Sequence, residues 1–463
     1  KDWLSNLKVR LSYGTSGSDN INSNLWRETW SSLSSSSNHT PINGELGSFY
    51  RPDGLLANSD LKWETTISRN LGLDFGFLNN RINGSLEIYW NTTKDLLMAV
   101  PVDNTTGYSY QFQNFGKTSN RGIELSLNFD VINKGDFRFN IGAIYNYNRN
   151  KLDELPNADQ YLYSSYWGSS SLVPTNDYMF VEGKAIGLVR GFVSEGFYTV
   201  NDFRYENGQY ILKEGIPDIT KALTATYMHP FNIPNGQTAF PGAAKFRDVN
   251  NSGTVDLDDA TCLGEVMPRH TGSFQLNFNY KNFDLSSNFN WTAGGKVYNV
   301  AAMINASGQE FDGIGAQRTS WVADTYKVYN VNSSGDLYAV TDPNELNALN
   351  ANAKYHLPYH QSGITSSEWL EDGSYLRLQT LTLGYTLPHT VLNKIHIEKL
   401  RIYLTATNLF TITGYSGIDP EVNATPTGQS GFYSNLRVFP TLNMDFGTYP
   451  RARTFTLGAN ITF

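Results

Sequence analysis

The chain has 463 residues, of which 17% are charged and 14% aromatic. Low charge and abundant aromatic residues exclude a disordered chain, and the composition does not fit a coiled coil, which is rich in Ala, Glu, Lys and Leu. The net charge of −8, without runs of Lys or Arg, predicts no nucleic-acid partner. A single cysteine, Cys262, excludes an intrachain disulfide. Tyr, Phe, Asn and Gly favour strands and turns, so an all-β fold is expected.

No stretch of the chain approaches the ~18 consecutive apolar residues of a membrane-spanning helix. This excludes helical spans only, because the strands of a transmembrane barrel alternate polar and apolar residues and can average hydrophilic. The chain begins at Lys1, without Met or a signal peptide, and strand-like sequence follows within a few residues. We therefore expect a fragment or a processed product of a longer protein.

Apolar and polar residues alternate with period two in about ten segments, which is the pattern of strands with two different faces. In one of them Phe274, Leu276 and Phe278 alternate with polar side chains. In chain order, the predicted strands cover residues 7–13, 67–77, 82–90, 123–129, 137–147, 274–281, 283–291, 381–387, 400–406 and 455–463.

The links between these strands alternate strictly between long and short. The short links are 78–81, 132–135 and 281–282, with a moderate one at 388–399. The long links are 18–60, 99–113, 150–270, 294–370 and 409–450. Tight turns at one end and extended loops at the other are the plan of outer-membrane barrels. The sequence therefore predicts a transmembrane antiparallel β-barrel with long extracellular loops, in which the strand-like residues 185–198 belong to the 150–270 loop.

The last predicted strand has an apolar alternate face that ends on Phe463. If the short links face the periplasm, this strand also ends there. An apolar face closed by a terminal aromatic residue is typical of an outer-membrane assembly signal, so Phe463 is predicted to have that role. The alternative is an ordinary edge strand that ends this way by chance.

Several blocks of sequence, in this order, resemble the C-terminal half of SusC/RagA-type TonB-dependent transporters of the Bacteroidetes outer membrane. Each block is weak by itself, but their joint order is specific and spans nearly the whole chain. The blocks are Asp60 to Thr66, the run from Asn80 to Leu97, Asn120 to Leu125, Asp372 to Leu378, Thr407 to Phe410, Gly417 to Glu421, and the ending with Tyr449, Pro450 and Arg453 to Phe463.

The resemblance implies a barrel of about 22 strands with an N-terminal plug. It also implies import of oligosaccharides or peptides driven by TonB, with a SusD-like surface lipoprotein as partner and outer-membrane lipids around the barrel. Residues 1–463 would then be the C-terminal part of the barrel, with 150–270 and 294–370 as large extracellular inserts. About twelve strands, the plug and the TonB box would lie upstream of Lys1.

Residues 248–259 read as a calcium loop. Asp248, Asn250 and Ser252 would supply side-chain oxygens, Thr254 its carbonyl, and Asp256 and Asp259 the later ligands, with Gly253 at the sharp turn. Ser in the third place and Asp in the last depart from the usual pattern, and no amphipathic helices flank the loop. The alternative is an Asx-rich turn. No cofactor is required, and calcium would here be structural.

Aromatic residues in the predicted extracellular loops could bind sugar rings or peptide side chains, because they offer flat faces with polar tips. The ligand-binding candidates are Tyr166, Trp167, Trp321, Tyr326 and Tyr415. The alternative is that most of these rings pack loop on loop or against a lipoprotein. Aromatic residues near strand ends, Trp90, Tyr147, Tyr280 and Trp291, are predicted to form the girdle at the membrane interface.

No catalytic motif stands out, so we predict that the chain is not an enzyme. The seven histidines lack metalloprotease spacing, and neither a Gly-rich phosphate loop nor a nucleophile elbow occurs. Two alternatives to the transporter stay open at this point: a soluble extracellular all-β glycan-binding module or glycosidase, and a passive porin-like barrel.

Overall fold

The structure is a computed structural model, and it describes most of the chain. The described residues are 3–18, 25–28, 30–32, 41–42, 45–46, 50–52, 55–108, 110–155, 160–164, 172–224, 229–307, 319–357, 363–392, 397–422 and 442–463. No helix among them is long and apolar enough to cross a membrane.

Ten long strands form one antiparallel sheet in which every strand pairs with its neighbours in this series. Among the described residues, the first and last strands each pair on one side only, so the sheet is open. The strands are β1 Leu4–Ser18, β2 Glu64–Phe77, β3 Ile82–Lys94, β4 Lys117–Lys134, β5 Phe137–Glu154, β6 His270–Tyr280, β7 Phe283–Ala293, β8 Tyr375–Thr386, β9 Lys399–Thr413 and β10 Thr454–Thr462.

One face of this sheet is apolar from β1 to β10, because the register brings apolar positions into cross-strand rows. Leu73, Leu86 and Leu125 are successive partners on β2, β3 and β4. On the other half of the sheet a second row contains, from β7 to β10, Leu285, Leu383, Leu404 and Leu457. Leu457 is 76% exposed. An apolar surface this continuous marks an interaction site, and here it suits the hydrocarbon core of a membrane.

The opposite face is polar over the same length. Cross-strand partners from β5 to β10 are Asn140, Asn277, Ser286, Thr382, Thr405 and Thr456. The Thr382 and Thr405 hydroxyls lie 2.9 Å apart and form a hydrogen bond. A sheet with one apolar and one wetted face is what period-two alternation produces.

All short connections lie at one edge of the sheet. Leu78, Asn79 and Asn80 between β2 and β3 have φ of 53°, 56° and 61°, a left-handed turn in which Asn is well tolerated. Only two residues connect β4 to β5 and β6 to β7, and 387–398 connect β8 to β9. The long connections 19–63, 95–116, 155–269, 294–374 and 414–453 therefore all lie at the opposite edge, which we call the long-loop edge.

The long connections contain short strands and helices of their own. The α-helices are Lys221–Thr224, Val300–Ser307, Thr319–Asp324 and Pro343–Leu349, with His389–Leu392 in the β8 to β9 link. Single 3-10 turns are Asn104–Thr106, Val200–Asp202, Leu257–Asp259 and Ser367–Trp369. The short strands are Trp30–Ser32, Pro41–Ile42, Glu45–Leu46, Tyr50–Pro52, Leu55–Leu56, Leu97–Pro101, Tyr110–Asn114, Gln160–Tyr163, Tyr178–Val181, Leu188–Gly191, Ser194–Phe197, Phe203–Glu206, Gln209–Leu212, Asp218–Ile219, Ala244–Phe246, Thr254–Val255, Thr261–Glu265, Lys296–Asn299, Tyr329–Val331, Leu337–Ala339, Leu370–Asp372 and Met444–Asp445.

The loops have cores of their own, built almost entirely from residues of the long connections. One core joins residues of the β5 to β6 and β7 to β8 connections around Phe192, Tyr198, Phe240 and Leu346. A second core joins residues of the β3 to β4, β5 to β6, β7 to β8 and β9 to β10 connections. It includes Tyr178, Tyr298 and Met444. We call these packed connections the loop assembly. Its interior is apolar and close-packed like that of a soluble domain.

The ten predicted strands are all present, and the all-β fold is confirmed. Each strand extends further toward the long-loop edge than predicted. The difference arises where polar residues occupy both faces, as from Asn148 to Lys151, because alternation then no longer signals a strand. Residues 188–191 and 194–197 form strands outside the ten-stranded sheet, paired with 261–265 and 244–246.

Leu125→Arg tests the assignment of the apolar face to lipid. A cation near the middle of the lipid face of a barrel costs about 2–4 kcal/mol, so we expect a clear loss of folded full-length protein, measured as the heat-modifiable band in outer-membrane fractions. Ser126→Arg on the neighbouring, polar-face position is the matched control and should leave the yield near wild type. Equal losses for both variants would contradict the assignment.

Candidate functional site

Arg10 anchors an ion cluster on the polar face of β1 to β3. Its Nε and Nη2 donate to the two carboxylate oxygens of Asp74 at 2.9 and 2.8 Å, and Nη2 also contacts Glu87 at 2.8 Å. The guanidinium lies over Gly72, where a Cβ would be 2.9 Å from Arg10 Cζ. Glycine at this position therefore makes room for the ion pair across the strands.

Arg401 repeats this arrangement on β7 to β9. Its Nε and Nη2 donate to the Asp284 carboxylate at 2.9 and 2.5 Å, over Gly384, where a Cβ would be 2.5 Å from Arg401 Nη2. The guanidinium also lies 5.0 Å from the centre of the Tyr403 ring. Both clusters place paired charges on the polar face, where a water-filled lumen would solvate them, and neither leaves its arginine without a carboxylate.

An ion network with a buried pair, Arg377 and Asp419, joins the sheet to the β9 to β10 connection. The Arg377 side chain on β8 is 3% exposed and donates to Asp419 at 2.5 Å and to Glu421 at 2.8 Å. Arg451, just before β10, contacts the other oxygen of Glu421 at 2.7 Å. Breaking such a buried pair by removing one partner leaves an uncompensated charge, which is strongly destabilising. The network therefore fixes the start and the end of this loop to the barrel wall.

Four fully buried tyrosines tie distant parts of the loop assembly together through their hydroxyls. Tyr178 donates to the Leu442 carbonyl at 2.9 Å, and Tyr210 donates to that of Thr341 at 2.8 Å. Tyr198 donates to the Pro217 carbonyl, and the Tyr298 hydroxyl bonds that of Thr365. Burial raises the pKa of each phenol well above its usual value, so all four hydroxyls are neutral at physiological pH.

The predicted ligand-binding tyrosines are buried where the structure describes them, which corrects the prediction for these two. Tyr326 is 3% exposed and packs against Phe197, with ring centres 5.3 Å apart. Tyr415 is 5% exposed, and its hydroxyl donates to Asp445 at 2.7 Å. A covered ring offers no face to a ligand, so packing of loop on loop, the alternative for these residues, is their role.

The other three candidates stay predictions. Trp321 lies in the helix Thr319–Asp324, but its side chain is outside the described part of the structure. Tyr166 and Trp167 lie outside the described residues. Exposed aromatic rings do occur in the connections at the long-loop edge, and they offer the flat surfaces that the buried tyrosines do not: Trp26, Trp30, Trp63, Tyr205, Tyr329 and Tyr449.

The Asp248 loop is organised by hydrogen bonds from its own backbone. Asp248 accepts the amides of Ser252 and Gly253 at 3.1 and 2.7 Å. The buried Asp259 carboxylate accepts those of Val249, Asn250 and Asp256 at 2.7, 3.2 and 2.9 Å. Gly253 has a φ of +87°, as the sharp turn requires.

This geometry is that of the Asx-rich turn which the sequence left open. Three more of the predicted ligands are in contacts within the loop: Ser252 Oγ donates to the Thr254 carbonyl, and Asp256 accepts the Asp258 amide. Across the described residues, no three His, Cys, Asp or Glu side chains converge as a metal site. The calcium hypothesis gains no support from the geometry and stays a prediction.

The residues predicted for the membrane interface lie on the apolar face of the sheet. Trp90 on β3 and Tyr147 on β5 are near the long-loop edge, whereas Tyr280 is at the short-turn end of β6. Phe463 directly follows β10, and its side chain is 87% exposed. Its role in assembly stays a prediction.

Residues 2–409 match the family model described as TonB dependent receptor-like, beta-barrel. The chain belongs to this family. TonB-dependent receptor P3 of Formosa agariphila is 29% identical over 456 residues, which cover 98% of this chain and 39% of that protein. TonB-dependent receptor SusC of Bacteroides thetaiotaomicron is 27% identical over 468 residues, which cover 99% of this chain and 38% of that protein.

A solved structure of the RagAB peptide transporter has the same fold. It superposes with a TM-score of 0.68 at 22% identity, over 100% of this chain and 41% of that chain. The chain thus spans about two fifths of the length of the relatives that it matches. The resemblance to SusC/RagA-type receptors is confirmed, and the chain is part of an outer-membrane β-barrel receptor. The family consists of receptors and transporters, which disfavours the soluble module or glycosidase.

Within the loop assembly, Glu368 is a carboxyl group whose pKa is raised by burial, an effect that the nearby His356 partly offsets. His356 Nε2 lies 3.8 Å from Glu368 Oε2. A raised pKa means that the folded loops bind this proton more tightly than the unfolded chain does. The stability that the protonated carboxyl contributes is therefore present below the unfolded pKa of about 4.3 and is lost as the pH rises through the folded value.

Glu368→Gln should remove this pH dependence. We expect the variant to show slower amide hydrogen exchange than wild type over residues 353–357 and 363–372 at pH 8, after correction for the intrinsic exchange rate, and a difference that shrinks toward pH 4.5. Glu214→Gln, at an exposed carboxylate of the same loop assembly, is the control and should show no such difference. A difference between wild type and Glu368→Gln that grows as the pH falls would contradict the assignment.

Proposed function

We propose that this chain supplies part of the barrel wall and the outward loops of a SusC/RagA-type importer, which takes up oligosaccharides or peptides together with a SusD-like lipoprotein. TonB would act through parts of the receptor outside this chain. The observation that carries the proposal is the two-faced ten-stranded sheet with its loop assembly confined to one edge, in a member of the TonB-dependent receptor family.

The orientation follows from the two edges. Short turns face the periplasm and long loops face outward in outer-membrane barrels. In this orientation the polar face, with the Arg10 and Arg401 clusters, lines the lumen, and β1 and β10 pair with strands from the rest of the receptor. Pairing is needed because each unsatisfied backbone group in hydrocarbon costs several kcal/mol.

The loop assembly is suited to docking a partner and to closing over a ligand. Its apolar interior is packed, and buried tyrosines form hydrogen bonds between distant segments, which would hold the outer rings in place. Rigid scaffolds that present loops are the usual way to build a binding surface. Exposed rings of these connections, such as Tyr205 and Tyr329, would contact sugar or peptide. RagAB, which shares this fold, is a peptide transporter, and this supports peptides as one of the two ligand classes.

Uptake measurements test the proposal. Cells with and without the full-length receptor would be given fluorescent malto-oligosaccharides or a fluorescent tryptic digest of casein. We expect receptor-dependent uptake of one of the two probes, abolished by a protonophore because TonB draws on the proton gradient, and co-purification of a lipoprotein with the tagged receptor. A passive barrel would take up probe equally well with the protonophore. Uptake that is equal with and without the receptor for both probes, or a receptor that purifies alone, would contradict the proposal.

A further inference from the structure

The lipid-facing side of the sheet carries arginines at its long-loop edge. Ile88 and Ile123 are cross-strand partners on the apolar face. The next row on this face toward the long-loop edge contains Trp90 on β3, Arg121 on β4 and Arg149 on β5. Arg69 on β2 shares their face, because it pairs with Tyr13 in the apolar register of β1. Three arginine residues thus lie near one cross-strand row on the same face of four neighbouring strands.

Arg121 and Arg149 are direct cross-strand partners. Side chains in this relation have Cβ atoms about 4.5–5.5 Å apart, and like charges placed so are destabilising. Both side chains belong to exposed residues. Among the described residues, no carboxylate lies within ion-pair distance of Arg69, Arg121 or Arg149, whereas Lys117 and Lys151 in the rows beyond pair with Glu154 and Asp153. The arginine row therefore has an uncompensated charge that an external anion would neutralise.

A groove with apolar walls adjoins the arginines on the membrane side. It has a volume of about 520 Å³ and is lined by Ile88, Trp90, Arg121, Ile123 and Tyr147. Successive residues of a strand rise about 3.3 Å, so the Arg121 Cα lies about 7 Å further along β4 toward the long-loop edge than the Ile123 Cα. Arg121 thus lies between the apolar groove and the long-loop edge, beside Trp90 and Tyr147. A cation in this position lies where the head groups of a membrane meet its acyl chains.

We propose that Arg69, Arg121 and Arg149 bind the phosphate group of a phosphorylated lipid in the leaflet on the long-loop side, with an acyl chain in the groove beside Ile88 and Ile123. Guanidinium groups bind phosphate oxygens through paired, charge-assisted hydrogen bonds. The groove opens on the lipid face and away from the lumen, which favours a lipid over the transported ligand. The proposal rests on the membrane orientation given above, but not on import.

Lipid binding to the purified full-length receptor tests this. The probe is diphosphoryl lipid A, with its dephosphorylated form as the comparison. We expect wild type to prefer the phosphorylated lipid, and the double variant Arg121→Gln with Arg149→Gln to bind it about tenfold or more weakly, since each lost contact is a charge-assisted hydrogen bond. The matched control, Lys134→Gln with Lys281→Gln, removes the same charge at the short-turn edge and should bind like wild type.

Folding of each variant is checked by the heat-modifiable band, and the single variants R121Q and R149Q serve if the double variant does not fold. Arg121→Lys with Arg149→Lys keeps the charge but loses the paired hydrogen bonds, so it should restore only part of the binding. Three results would overturn the proposal: unchanged binding in both single variants and the double variant, equal binding of the dephosphorylated lipid, or displacement of the lipid by inorganic phosphate at equal concentration. Because the assay uses no transported substrate, a failure of import leaves it unaffected.

Discussion

Period-two alternation along hydrogen-bonded strands is the constraint on which the rest of the structure depends. Successive side chains of a strand point to opposite faces. A chain that alternates Leu or Phe with Asn or Thr therefore forms a sheet with one face suited to lipid and the other suited to water. In hydrocarbon the backbone can find partners only within the protein. The register from β1 to β10 gives the backbone groups partners in the neighbouring strands and also separates the two kinds of side chain. It places Leu73, Leu86 and Leu125 in one row, on the face opposite to the polar residues that alternate with them along each strand.

The loop assembly follows a different rule from the wall. The wall keeps its apolar side chains exposed for lipid, whereas the loops bury theirs around Tyr198, Phe240 and Tyr298, as a soluble domain does. The two regions meet in charged contacts. Arg377 joins the sheet to Asp419 and Glu421, and so two of the blocks that resemble SusC/RagA-type receptors, 372–378 and 417–421, are in contact through this ion network.

The strands and the edge assignment could be predicted from the sequence because both depend on local patterns. Alternation identifies a strand such as 283–291 without knowledge of its neighbours, and loop length orders the edges. The roles of Tyr326 and Tyr415 could not be predicted, because their burial depends on Phe197 and Asp445, which lie far away in sequence. The outer strand ends were missed for a related reason, since Arg149 and its neighbours are polar on both faces. Those same residues form the proposed lipid contact.

Accessibility of single cysteines along β4 tests the central claim, that one face of this sheet meets lipid and the other meets the lumen. In the full-length receptor with Cys262→Ser, cysteines at 123, 125 and 127 would be compared with cysteines at 124, 126 and 128, using a small water-soluble thiosulfonate in intact outer membranes. We predict that the even positions react and the odd positions are protected. Equal reaction on both faces, or protection of the even positions instead, would contradict this claim.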